Sequence, residues 1–303
     1  MKGAIGGVLV RVGQVASLRV VAIAVAVVQE HALEDVKEHV QIHAMLEVEE
    51  DGNSRLTMKS IKDYKSFQEK KTTKGITFIV TKDCQLACKY CYLVGKNSKE
   101  RLSFGVAKQA IDYILANKEE FDEDSVIWDF IGGEPFLEIE LIDKICDYIK
   151  TELYKKDHHW FNSYRFSFST NGINYHTKKV QDFIMKNRNH LSIGITIDGT
   201  QKKHDLNRIW KTADMEQGKM PSSEEERGSY YDVVKNIPLW LQQFPDGATK
   251  VTISSADIPY IKESVLHLYS LGIHEVNINC VFEDVWREGD DILFEEQLLQ
   301  LAD

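Results

Sequence analysis

The chain has 303 residues, 43% of them hydrophobic, enough to bury one large core and within the usual range of a single α/β barrel. Its formal net charge of −10 excludes a nucleic-acid surface, because phosphate binding needs clustered Lys and Arg. Three of its five cysteines fall within eight positions, which is no disulfide framework; thiolates that must hold metal imply a reducing, cytoplasmic compartment.

Residues 1–57 open with a Val- and Ala-rich stretch, 7–28, that Arg11, Gln14, Ser17 and Arg19 interrupt. Its clean apolar run, 20–28, has nine residues and is too short to span a bilayer, so no membrane partner is expected. Lys2, Arg11 and Arg19 ahead of that run give the outline of a signal peptide, but export suits an oxygen-sensitive metal centre badly. Met58-Lys59-Ser60 makes a natural start ahead of the first strand. Residues 1–57 are therefore read as an upstream extension or mis-assigned start without function, or else as a short strand or helix packed on the body formed by 58–303.

From Gly75 onward strands alternate with amphipathic segments. Strands are predicted at 76–81, 126–131, 164–170, 191–198, 249–255 and 275–281, and helices at 104–117, 138–154, 177–187, 230–243 and 260–271, with a sixth opening near Asp290. Six βα units in series predict a parallel sheet with outer helices, a right-handed partial (βα)6 barrel. One strand face is repeatedly small or polar: Thr77 and Thr81; Ser167, Ser169 and Asn171; Ser192, Gly194, Thr196 and Asp198; Thr252 and Ser254; Asn277 and Asn279. The other carries Phe78 and Val80, Phe166 and Phe168, Ile193 and Ile195, Val251 and Ile253, Val276 and Ile278. If the apolar set packs on the helices, the lumen is polar. Its groups then need partners, supplied by a ligand rich in donors and acceptors or by water and internal hydrogen bonds. Segment 211–228, rich in Glu, Ser, Lys and Gly with Met215 and Met220, reads as a flexible loop beside the mouth, disordered or acting as a lid. Cys146 and Cys280 lie on apolar faces and read as core thiols, and His158-His159 as a solvated turn.

The densest signal is Cys84-x3-Cys88-x2-Cys91, directly after the first predicted strand. Three thiolates on one loop can ligate three irons of a cubane and leave the fourth open to a small molecule. Zinc is the rival reading, but structural zinc wants four ligands, and neither a second cysteine pair nor a nearby histidine is present.

With Tyr90 before the last cysteine, this pattern resembles the cluster motif of the radical S-adenosylmethionine (SAM) superfamily. Gly132-Gly133-Glu134-Pro135, Ser169-Thr170-Asn171-Gly172, and Asp198-Gly199 followed by His204-Asp205 and Arg208 agree in order and approximate spacing with its peptide- and protein-modifying branch. The resemblance covers residues 74–303. Residues 73–99, with later segments around Trp240, Pro259 and Asn277, look closest to maturases of cysteine-rich repeat peptides. It implies a [4Fe-4S] cluster on Cys84, Cys88 and Cys91 whose open iron is chelated by SAM. Glu134 would hold the amino group, Gly132 and Gly133 would permit close backbone approach, and Ser169 and Arg208 would meet the carboxylate. Tyr90 would lie beside adenine, and Asn171 and Asp198 would line the same mouth at the strand ends. The implied substrate is a peptide or protein, a cysteine-rich precursor above all, with flavodoxin or ferredoxin as electron donor. Thioether crosslinking is the expected outcome; formylglycine formation in a sulfatase and a non-catalytic metal scaffold are the alternatives. Maturases of this branch carry a cysteine-rich extension with auxiliary clusters, and no cysteine follows Cys280, so the chain is expected to be a fragment.

Overall fold

A computed structural model describes residues 73–93, 96–212, 227–281 and 285–301 in full, and the backbone of four strands between residues 5 and 58. In chain order the strands are β1 (Ile5–Val12), β2 (Val20–Val27), β3 (Gln41–Val48), β4 (Ser54–Met58), β5 (Thr73–Thr81), β6 (Ser125–Gly132), β7 (Tyr164–Thr170), β8 (Leu191–Ile195), β9 (Ala248–Ile253) and β10 (Glu275–Cys280). The α-helices are α1 (Phe104–Ala116), α2 (Ile139–Lys155), α3 (Lys178–Asn187), α4 (Gln201–Asn207), α5 (Tyr230–Val234), α6 (Ile237–Gln243), α7 (Ile261–Ser270) and α8 (Asp290–Ala302). The predicted α/β order is thus present, with shifts of a few residues at element ends.

The largest discrepancy is the helix predicted over 230–243, which is two short helices. Pro238 lacks the N–H that would bond the preceding turn, and its ring clashes with the carbonyl four residues back, so the chain breaks at Lys235 and Asn236 and restarts with Pro238 in the first turn of α6. The fourth predicted strand stops at Ile195, short of Asp198.

The chain divides into two compact units. One comprises residues 68–196 and 205–247 and holds a parallel sheet in the order β5-β6-β7-β8. Its register sets Phe78 level with Phe130 and Phe130 level with Phe168. On this face the Phe78 and Phe130 rings stack at 5.7 Å, and those of Phe130 and Phe168 at 5.3 Å. Trp128, Phe130, Phe166 and the helix residues Ile111, Ile142, Ile145 and Ile149 are all fully buried. Alternation turns Thr77, Asp129, Ser167 and Ser192, level with one another on adjacent strands, to the opposite face, which is part-buried to exposed. The two-faced strand pattern read from the sequence is therefore real, and Asp129 is a polar member that the reading missed.

The other unit comprises residues 1–67, 197–204 and 248–303. Its sheet has the order β4-β3-β2-β1-β10-β9, with β9 and β10 parallel and β1 antiparallel to β10. The six predicted strands are thus shared between two sheets, four in one and two in the other. Ile197 N–H reaches β9 through the Thr249 hydroxyl, at 3.1 Å, instead of through a main-chain ladder. Apart from β1–β4, the leading stretch for which no function was expected lies outside the described residues. Among the described residues no helix is long and apolar enough to cross a membrane.

The two faces of the four-stranded sheet should respond differently to truncation. Phe130→Ala removes a ring enclosed by three others and should cost about 3–5 kcal/mol. Ile79→Ala, on the open face with 48% exposure, should cost less than about 0.5 kcal/mol. Urea midpoints of the metal-free protein check both.

Candidate metal centre

The cysteine loop leaves β5 at Thr81, and β6 runs beside β5 as far as Gly132. Gly133 N–H donates to Thr81 O at 2.8 Å and Glu134 N–H to Asp83 O at 2.9 Å, so Gly132-Gly133-Glu134 is zipped to the entrance of the loop. A Cβ on Gly133 would collide with the Asp83 carbonyl. The close approach that these glycines permit is thus, in the first place, an approach to the chain itself.

Glu134 is fully buried. Its carboxylate accepts from Thr170 Oγ1 at 2.6 Å, Phe136 N–H at 3.0 Å and Asn171 N–H at 2.8 Å. Burial raises its pKa, and these three donors offset only part of that rise. The residue expected to face a ligand therefore first joins the end of β6 to the end of β7. Thr170, its short hydroxyl partner, was named in the sequence only as part of the Ser169–Gly172 motif and given no role.

Asn171 continues the link. Its side-chain amide donates to Gln85 Oε1 at 3.1 Å and lies 3.7 Å from Cys84 Sγ, while its carbonyl accepts from Ile173 N–H at 3.0 Å. Gly172 turns the corner with φ +76, a conformation that favours glycine. Leu86 N–H also points at Cys84 Sγ, at 3.3 Å. Burial first, and then the nearby Glu134 charge, push the Cys84 thiol up to about 12, so without metal it is protonated. Two N–H donors aimed at one part-buried sulfur fit a metal-bound thiolate, which metal keeps deprotonated. Cys84, Cys88 and Cys91 are all part-buried and in no disulfide. Among the described residues no three His, Cys, Asp or Glu side chains gather around one point as ligands of a single ion would, whereas a cubane takes one thiolate per iron.

A distant segment straps the loop from outside. Ala87 N–H donates to Ile209 O at 2.8 Å, Lys89 N–H to Asn207 O at 3.0 Å and Lys211 N–H to Gln85 O at 2.9 Å. Lys211 Nζ pairs with Asp83 at 2.8 Å, and the same Asp83 oxygen accepts from Cys84 N–H at 2.9 Å. Arg208, buried within this strap, donates from Nη1 to the Tyr90 hydroxyl at 2.8 Å, and its charge lowers the pKa values of both Cys84 and Glu134. Tyr90 and Arg208, expected at one site from separate motifs, do meet. Both ends of the loop expected over 211–228 are pinned: Lys211 as above, and Gly228 by a bridge to Ile209. Residues 213–226 lie outside the described residues.

The remaining site expectations separate. Ser169 faces the open side of β7, level with Gly194. Asp198 belongs to the other unit, where its carboxylate accepts from Thr252 N–H at 3.3 Å and its own N–H donates to His204 Nδ1 at 3.3 Å. Cys146 and Cys280 are buried, as a core role requires. His158 is not solvated: it is 2% exposed, stacks on His159, accepts from Trp160 N–H, and burial holds its imidazole down at about 4.

The glycine packing yields a direct test. Gly133→Ala should displace Asp83 and with it Cys84, so the variant should lose most of its iron after anaerobic reconstitution. Gly75→Ala, whose Cβ meets nothing within 4 Å, should retain the parent's iron, measured per chain.

Residues 73–216 match the family described as a 4Fe-4S single cluster domain. An uncharacterised protein of Methanocaldococcus jannaschii is 31% identical over 211 residues, 69% of this chain and 63% of that protein. A cysteine-type anaerobic sulfatase-maturating enzyme of Clostridium novyi is 26% identical over 160 residues, 52% of this chain and 37% of the enzyme. The chain thus spans less than two thirds of the length of these curated relatives. In fold it is similar to native anSMEcpe, solved with bound AdoMet and Kp18Cys peptide, with a TM-score of 0.59 at 16% identity over 75% of this chain and 59% of that one. The matched segment 73–216 carries the cysteine loop, and in sequence and fold the chain is similar to the peptide and sulfatase maturases of the radical SAM superfamily.

Proposed function

We propose that this chain is a radical SAM enzyme that modifies a ribosomally made peptide by forming thioether crosslinks from cysteine. The observation that carries this reading is the meeting of Cys84, Asn171, Tyr90 and Arg208 beside one strapped loop, with Glu134 beneath them. Cys84, Cys88 and Cys91 hold the cluster, one thiolate to each of three irons. When bound, the cluster and SAM supply one-electron cleavage of the sulfonium and a 5′-deoxyadenosyl radical that takes hydrogen from substrate. The protein supplies position and charge. Arg208 offers its guanidinium to the SAM carboxylate, and Tyr90, fixed by Arg208, offers a ring beside adenine. Glu134 holds Asn171 and Thr170 in place and would set the backbone that receives the SAM amino group. Ser169 supports the carboxylate end.

The relative from Clostridium novyi favours a second reading, formylglycine formation in a sulfatase. The chemistry of the product separates the two. A thioether leaves the peptide two hydrogens lighter and inert to hydrazides, while formylglycine is an aldehyde and couples to them.

Anaerobic reconstitution should give about four irons per chain, and Cys84→Ala, Cys88→Ala and Cys91→Ala should each abolish stable binding. Cys146→Ala and Cys280→Ala should retain it. Equal loss from all five, or stoichiometric zinc, would refute the cluster. With dithionite the parent should release 5′-deoxyadenosine from SAM. Glu134→Ala should weaken SAM binding, and because it also frees Thr170 and Asn171 it should destabilise the apo-protein by about 1.5–3 kcal/mol or more.

A further inference from the structure

The cluster loop carries a cation whose placement none of the assigned roles uses. Lys96, part-buried and just beyond the last cysteine, donates from Nζ to the main-chain carbonyl of Cys88 at 2.6 Å. That carbonyl also accepts from Cys91 N–H at 3.2 Å, so the ammonium is seated on the turn joining two of the three expected ligands. The oxygen it holds lies only a few covalent bonds from Cys88 Sγ. Among the described residues no carboxylate pairs with Lys96, in contrast to Lys211, whose charge is offset by Asp83. Arg208 acts electrostatically on Cys84 and is engaged with Tyr90. Lys96 is a cation fixed at Cys88.

Potentials of iron–sulfur clusters depend on net charge and on the groups around their sulfurs. Reduction adds one electron, drawn from a low-potential one-electron donor such as flavodoxin or ferredoxin, and makes the thiolate-bound cluster one charge more negative; no bond forms or breaks. A fixed positive charge beside a ligand favours the more negative state, and part-burial spares it much of the screening that weakens exposed charges. We propose that Lys96 is a positioning residue that raises the reduction potential of the cluster by holding its ammonium, which no carboxylate among the described residues pairs, against Cys88. The proposal rests on the cluster reading given above.

The test is a redox titration of the reconstituted protein, followed by electron paramagnetic resonance and accompanied by an iron count. K96M and K96Q should hold as much iron as the parent but reduce about tenfold less favourably, a midpoint about 59 mV more negative for a one-electron couple. K96R should stay close to the parent. K89M, which removes a solvent-exposed lysine from the same loop, should leave the midpoint unmoved. Full iron with unchanged midpoints in K96M and K96Q would overturn the proposal. So would loss of iron from both with retention by K96R, which would make the lysine a clamp of the loop. A parent that binds no four-iron cluster would instead sink the cluster reading, and the parent's iron count tells the two failures apart.

Discussion

A carboxylate taken fully out of water must be bonded to donors or become neutral, and Glu134 meets this constraint with three donors. Its position at the end of β6 makes the solution a structural one, because two of the donors, Thr170 and Asn171, stand at the end of β7. Their hydrogen bonds to a charged group are individually worth about 1.5–3 kcal/mol. Asn171 is thereby aimed at Gln85 and Cys84 on the loop that follows β5. One buried charge thus coordinates three strand ends, and a single glycine, Gly133, brings it close enough.

The loop that carries the thiols is irregular and short of internal main-chain bonds, so its order is imposed from outside. Glu134 and Asn171 hold it from the sheet, and the Asn207–Lys211 strap pairs with it from the other side. Lys96 and Lys211 add cations at its two flanks. A metal-binding loop assembled this way needs little rearrangement on loading, which lowers the ordering cost that a flexible site incurs on binding. It also means that substitutions far away in sequence can change metal retention without touching a ligand.

The parallel sheet beneath the loop divides its labour by face. Aromatic residues of β5, β6 and β7 stack against one another and the helices, providing a rigid base. The opposite face keeps Thr77, Asp129, Ser167 and Ser192 level across four strands. Such a row offers donors and acceptors to solvent or to a polar ligand laid across the strands.

Strands, helices and cysteine ligands were legible because each is a local pattern: period-two alternation in Tyr164–Thr170, helical spacing of Ile142, Cys146 and Ile149, three cysteines within eight positions. Pro238 shows the limit even of local reading, since hydrophobic spacing carried a helix through a residue whose chemistry breaks it. Partners across the fold were not legible. The bond from Thr170 to Glu134 spans 36 residues and the ion pair of Lys211 with Asp83 spans 128. Periodicity says which face a residue occupies, not which chain segment arrives there. By itself the sequence determined the α/β class, the triad and the motif family. Only the tertiary structure decided that Glu134 is a latch, that Asp198 belongs to a different unit from the cysteines, and that Lys96 sits on Cys88, because these outcomes depend on register and packing between segments distant along the chain.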